Sequence, residues 1–258
     1  MKLLYDYMLV MKSIFIADAH LRNPDESAYR ELIHFFEQLP DDLDNLFILG
    51  DFFDFWHGYQ ETIFRVYSPI LKALKKLVDK DVKIHFFAGN HEISFGPRLM
   101  ELGSCYADDT IIELDGQKFY LTHGDLLNHD DYRYRIWHSL IRSRFILKLA
   151  DSLPASLTLR IANTLSRNSR KSNKSQKIIP AQVFTSCAKI LRCKEDIQAV
   201  IIAHFHQERQ ERFITANGPK SLYIIGDWVD NRSYLTLENG KFSFNSYSSI
   251  SFRKRLKR

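Results

Sequence analysis

Asp18-Ala-His20, Gly50-Asp51-Phe-Phe-Asp54, Gly89-Asn90-His91-Glu92, His123-Gly124-Asp125 and His204-Phe-His206 carry side chains able to ligate a metal or move a proton. The donors are imidazole, carboxylate and amide oxygen, with no thiolate among them. Such a set suits Mn, Fe, Zn or a similar first-row cation better than a structural zinc site. In Asp18-x-His20 and His204-x-His206, the period of an extended segment puts both side chains of a pair on one side. Any one fragment is weak. A single His at a strand end is more often a satisfied polar residue, and Gly-Asp is often only a turn. The whole set, each member directly after an apolar run, is not explained by turns.

Those apolar runs are the elements that must position the ligands. Ser13–Ala17, Leu46–Leu49 and Lys83–Ala88 read as buried strands, and Ala199–Ile202 reads as another. Between them, Ser27–Leu39 and Thr62–Val78 show helical periodicity with one apolar face. After Thr110 short strands dominate, with Asp115-Gly116 and Glu238-Asn-Gly240 as hairpin turns and further strands at Ser221–Ile225 and Ser233–Leu237. Strands mixed with helices and later hairpins predict an α/β fold, with two sheets packed face to face and helices outside. The segment from about 130 to 195 departs from this pattern and is predicted to be a helical insertion. Trp137, Ile141, Phe145 and Leu149 form one apolar ridge in it, and Leu157, Ile161 and Leu165 form a second.

The chain has 258 residues, enough for a sizeable core in one domain with an insertion. A hydrophobic content of 45% makes a globular chain the expectation over a disordered one. Cys105, Cys187 and Cys193 form no CxxC pair, so no disulfide framework is expected and a reducing compartment fits. No apolar run reaches about 18 residues, so no membrane-spanning helix is expected. The opening stretch Met1–Val10 is apolar, but Asp6 interrupts it and it runs straight into the first strand. A cytoplasmic chain is expected, with Met8 or Met11 as a candidate start. Net charge is only +5, yet it is unevenly placed: from Tyr132 to Gln176, Asp151 is the single acidic residue. The tail Phe252–Arg258 forms a second basic cluster. Local excess of this kind points to phosphate groups, anionic lipid or nucleic acid as partners.

The order Asp-x-His, Gly-Asp-x-x-Asp, Gly-Asn-His-Glu, His-Gly-Asp and His-x-His resembles the calcineurin-like metallophosphoesterase superfamily over Asp18 to His206. That resemblance implies a four-layer αββα sandwich holding two divalent cations. It implies that Asp18, His20 and His206 bind one metal and that Asn90, His123 and His204 bind the other. Asp51 would bridge them, Asp54 would support the ligands without touching metal, and His91 would face the leaving group together with Asn90. Two cations roughly 3.5–4 Å apart clamp a phosphate and activate water for in-line displacement.

A narrower resemblance, to the UDP-2,3-diacylglucosamine pyrophosphohydrolase family, rests on Gly50–Trp56, His123–Tyr134, Lys174-Ser175, Ile225-Gly-Asp-Trp228 and Ser233-Tyr234. It implies cleavage of a nucleotide-linked glycolipid to UMP and a lipid sugar 1-phosphate in lipid A synthesis. It further implies manganese as the metal, a peripheral position on the inner membrane and a helical lid over the acyl chains. Asp131, Tyr134, Lys171 and Lys174 fall at or near its substrate-contacting positions. His91 stands where that family has Arg, and Ala203 where it has Gly. The first difference keeps open another phosphodiester or phosphomonoester, nucleic acid included, although the aliphatic ridges favour lipid. A non-catalytic binding module is a further alternative, disfavoured by the complete ligand set.

Overall fold

Strands buried on both faces build the layers of this protein. In the computed structural model, residues 11–58, 61–143, 145–148 and 178–248 are described. The first ten residues, the second apolar ridge with Lys171 and Lys174, and the basic tail lie outside them. Strands β1 (Ser13–Ile16), β2 (Asn45–Leu49), β4 (Lys83–Phe87) and β6 (Ser104–Tyr106) run parallel. Strands β12 (Ser233–Glu238) and β13 (Lys241–Ser246) extend that sheet antiparallel, in the order β13-β12-β1-β2-β4-β6. The second sheet has the order β10-β11-β9-β8-β7, from β7 (Thr110–Leu114), β8 (Gln117–Leu121), β9 (Ile197–Ile202), β10 (Arg209–Thr215) and β11 (Gly218–Ile224). Within it β8, β9 and β11 are parallel. A short pair, β3 (Trp56–His57) and β5 (Glu92–Ser94), lies apart.

Alternate residues of each buried strand face different neighbours. Ile14, Ile16, Leu46, Ile48, Ile84 and Phe86 pack with helices α1 (Ser27–Glu37) and α2 (Glu61–Val78). Phe15, Phe47, Leu49 and Phe87 instead meet Phe119, Leu121, Ala199 and Ile201 between the sheets. On the far side, Val200, Ile202, Leu222 and Ile224 pack against Val183, Cys187 and Leu191 of the last helix, α5 (Ala181–Cys193). Helix, sheet, sheet, helix is the four-layer sandwich that the sequence predicts. Phe15 stacked on Phe47 at 4.6 Å shows how tightly the middle layer closes.

The sequence predicts one helical insertion over about 130–195, and its described parts divide in two. Helix α5 belongs to the sandwich, burying Val183, Cys187 and Leu191. Helix α4 (Tyr132–Ile141), which follows α3 (Gly96–Met100), buries no residue at all. Trp137 is 45% exposed and Phe145 75%, so these two members of the first ridge face outward, while Ile141 is half-buried and Leu149 lies outside the described residues. Among the described residues, no helix is long and apolar enough to cross a membrane.

Lys220, only 3% exposed, closes the end of α5. Its ammonium donates to the carbonyls of Leu191, Lys194 and Glu195, each at 2.9 Å. The charge lies at the negative end of the helix dipole and satisfies carbonyls that have no partner inside the helix. Lys220→Met should therefore lower stability by roughly 2–3 kcal/mol, read as an earlier urea midpoint with an unchanged slope.

Candidate metal centre

Parallel pairing decides where the ligand residues go. Strands β1, β2 and β4 end on the same edge of one sheet, and β8 and β9 end together on the other. Asp18, Asp51 and Asn90 follow the first three, and His123 and His204 follow the last two. The edges are stitched across the sandwich: the His204 amide donates to Asp18 Oδ2 at 3.0 Å, and His123 Nδ1 donates to the Leu49 carbonyl at 2.8 Å.

Close approach at these ends demands glycine. A side-chain carbon on Gly50 would lie 2.6 Å from His123 Nδ1, and one on Gly89 would lie 2.3 Å from Asp51 Oδ1. The ligand residues themselves take left-handed backbone: Asp18 (φ 51°), His20 (42°), Asp51 (49°), His204 (71°) and His206 (53°). Such conformations cost on the order of 1–3 kcal/mol each for a residue with a side chain, and they gather at sites where a fixed aim matters.

Asp18 and Asp51 are 0% and 1% exposed. Each carboxylate has one oxygen held by backbone and one turned toward histidines. Asp18 Oδ1 faces His206 Nε2 at 3.5 Å and His20 Nε2 at 3.9 Å, with no hydrogen-bond donor of its own. Asp51 Oδ1 accepts from the His91 amide at 3.0 Å. Its Oδ2 faces His123 Nε2 at 3.5 Å, and His20 and His91 Nε2 at 3.9 Å. His123 and His204 turn ring nitrogens toward each other at 3.2 Å. The side-chain oxygen of Asn90 is buried without a hydrogen-bond partner.

These orphaned, converging donors fit divalent cations. Asp18, His20 and His206 form one group able to hold an ion, and Asp51, His123 and His204 form another. Donation from His123 Nδ1 to a carbonyl fixes the tautomer that leaves Nε2 free to ligate. His91 is fixed likewise, its Nδ1 lying 2.6 Å from the carbonyl of Asp54. The Asp54 side chain is itself grouped with His20 and His91.

Electrostatics agree with this reading. Burial pushes the Asp18 carboxyl up, but His206 and His123 outweigh it and hold the group below its ordinary value. Asp51 lies well below, since His123 and His91 overcome burial. Conversely, burial pulls His123 and His206 down while the carboxylates raise them more: His123 stands well above 6.5 and His206 reaches about 9. Burial lowers His20 to about 4 and, with His123, lowers His204. The raised values favour protons on His123 and His206 beside the buried carboxylates when no cation is bound.

Sequence reasoning gave Glu92, Asp125 and Arg142 no particular role, though all three shape this centre; Asp131 and Tyr134 were expected at the substrate. Glu92, 3% exposed, accepts from the amides of Asp51 (2.9 Å), Gly89 (3.0 Å) and Phe53 (3.1 Å), binding two ligand loops together. Its place in Gly-Asn-His-Glu was the available signal. Asp125 accepts from the Tyr134 hydroxyl at 2.6 Å, and Asp131 caps α4 by accepting from the Tyr134 amide at 3.0 Å. Arg142 reaches the carbonyl of Glu92 at 2.8 Å, and no sequence signal pointed to that contact.

The family model for calcineurin-like phosphoesterases matches residues 11–208. A relative named UDP-2,3-diacylglucosamine hydrolase in Haemophilus ducreyi is 30% identical over 240 residues, covering 91% of this chain and 100% of its own. One of the same name in Nitrosococcus oceani is 29% identical and covers 91% of this chain and 94% of its own. Among solved structures, vacuolar protein sorting 29 from Cryptosporidium parvum aligns at 14% identity with a TM-score of 0.42, covering 91% of this chain and 95% of that one.

As ligands, His123 and His206 would have to give up to the metal the protons that their raised pKa values favour. A raised pKa means that the proton competes below it, so affinity should climb with pH up to about 9, where His206 loses its proton. Calorimetry of Mn²⁺ binding in buffers of different ionisation enthalpy should show about two protons released per chain near neutral pH. A pH-independent affinity with no proton release would mean that these histidines are already neutral before metal arrives.

Proposed function

Because this chain belongs to the calcineurin-like phosphoesterase family and is a metal-dependent phosphoesterase, we propose that it hydrolyses the diphosphate of a UDP-linked diacylglucosamine, releasing UMP and a lipid sugar 1-phosphate. Asp18, His20 and His206 would hold one divalent cation and Asn90, His123 and His204 the second, with Asp51 within reach of both groups. Manganese is the proposed metal. Once bound, the two cations supply the Lewis acidity that activates water and neutralises phosphoryl charge.

The protein's own groups do the rest. His91 lies between burial, which lowers its pKa, and Asp51, which raises it more; the net shift is upward. With Nδ1 held by the Asp54 carbonyl, the protonated Nε2 is free to donate to the leaving oxygen. That is the work of a general acid, done here by histidine at the position where the pyrophosphohydrolases carry arginine.

The observation that carries the substrate is the surface of α4. Tyr132, Ile136, Trp137 and Leu140 are 45–66% exposed on a helix that Tyr134 ties to the loop following His123. Arg133 and Arg135 are interleaved with them. An apolar face with a cationic fringe suits acyl chains beside a diphosphate, and it suits the surface of an anionic membrane. A nucleic-acid backbone would be met by charge without this apolar area. The insertion acts as the lid, with Asp131 and Tyr134 meeting substrate from α4 and Lys171 and Lys174 from the segment beyond. The relatives named UDP-2,3-diacylglucosamine hydrolase support the same reading.

The direct test is release of UMP from UDP-2,3-diacylglucosamine with and without added Mn²⁺. Metal-dependent release is expected. Cleavage of a chromogenic phosphodiester without UMP release would keep the metal chemistry and discard the lipid substrate. His91→Ala should retain both metals by elemental analysis yet lose roughly 10²–10⁴-fold in kcat. Loss of metal in that variant would make His91 a ligand and not an acid.

A further inference from the structure

Helix α4 buries no residue, yet one of its faces is fastened to the metal centre. Tyr134, His138 and Arg142 follow one another at four-residue spacing and so lie in a row. Tyr134 donates to Asp125, two residues beyond His123, and His138 Nε2 lies 3.7 Å from the same carboxylate. Burial and the charge of Arg142 lower the pKa of His138, leaving its ring an acceptor for the guanidinium, which donates to it. A second guanidinium nitrogen donates to the carbonyls of Gly89 and Glu92, the latter at 2.8 Å. This row therefore spans two ligand loops, one bearing His123 and the other bearing Asn90 and His91.

The second loop is held from both sides. From within, the Gly89 amide donates to Glu92 and the His91 amide to Asp51. From without, its carbonyls are gripped by Arg142. We propose that Arg142 is a positioning residue that locks α4 to the Gly89–Glu92 loop, so that docking of the helix and the aim of Asn90 and His91 are set in one step. This rests on the metal-site reading given to that loop. The planar guanidinium can grip two carbonyls with one nitrogen while another meets His138; a lysine ammonium cannot span that arrangement.

Hydrogen–deuterium exchange on the full chain tests this without relying on turnover, using R142A, R142K and Y134F. R142A should speed exchange roughly tenfold both in the peptide covering 89–92 and in that covering 132–142. Its kcat on bis(p-nitrophenyl) phosphate with Mn²⁺ should fall about 10–100-fold with a smaller change in KM, and R142K should recover part of both losses. Since both contacts serve one docking step, and Tyr134 is also placed against substrate, the double variant is read by exchange: R142A/Y134F should exchange no faster at 89–92 than R142A. Faster exchange confined to 132–142, with kcat unchanged, would overturn the proposal and reduce Arg142 to a helix tether. Additive gains in exchange at 89–92 in the double variant would overturn it too. If the wild type hydrolyses no phosphodiester, the phosphoesterase reading fails, while exchange at 89–92 still decides this one. Should R142A fail to fold, R142K and Y134F carry the same comparison.

Discussion

Two carboxylates, Asp18 and Asp51, lie buried within reach of the same histidine, His20. Like charges so placed would cost several kcal/mol each if nothing compensated them. Compensation comes in two parts. Backbone amides from other strand ends take one oxygen of each, and imidazoles or cations must take the other. Most of the surrounding structure follows from meeting that demand. Glycines at 50 and 89 allow the backbones to close on the carboxylate, and left-handed φ values turn the side chains inward.

Such a centre needs a rigid frame, because several of its ligand residues sit in conformations their side chains disfavour. The sandwich supplies it. Phe15, Phe47, Phe87 and Leu121 between the sheets hold the strand ends in register, and the helices α1, α2 and α5 seal the outer faces. Glu92 then acts across the frame, tying the loop after β2 to the loop after β4 through backbone amides. The candidate ligands are thus positioned mainly through the main chain, which moves less readily than side chains.

Helix α4 is held on other terms. Its contacts to the centre are polar, through Tyr134, His138 and Arg142, while its apolar residues face outward. Polar tethers to the site combined with an outward apolar surface leave that surface available to a lipid. Burial of the same residues on the core would have given a firmer helix and no such surface.

The sequence by itself determined the candidate ligand types, their order and the strands before them, since each candidate follows an apolar run that reads as a buried strand without tertiary context. Element order predicted two packed sheets, but which layer each residue meets was decided by the tertiary structure: Ile14 and Phe15, or Val200 and Ile201, face different apolar clusters within runs that are apolar throughout. Strand β10, Arg209–Thr215, was hidden: an edge strand keeps charges on its exposed positions, so the apolar signal fades. Likewise α5 and α4 share a helical period, and nothing local tells a layer of the sandwich from a surface helix. Only the tertiary structure decided which carbonyl orients His91, that Glu92 gathers three amides, and that Arg142 reaches a loop some fifty residues away. Those contacts join backbone atoms across the fold, and a main-chain carbonyl leaves no trace in residue type.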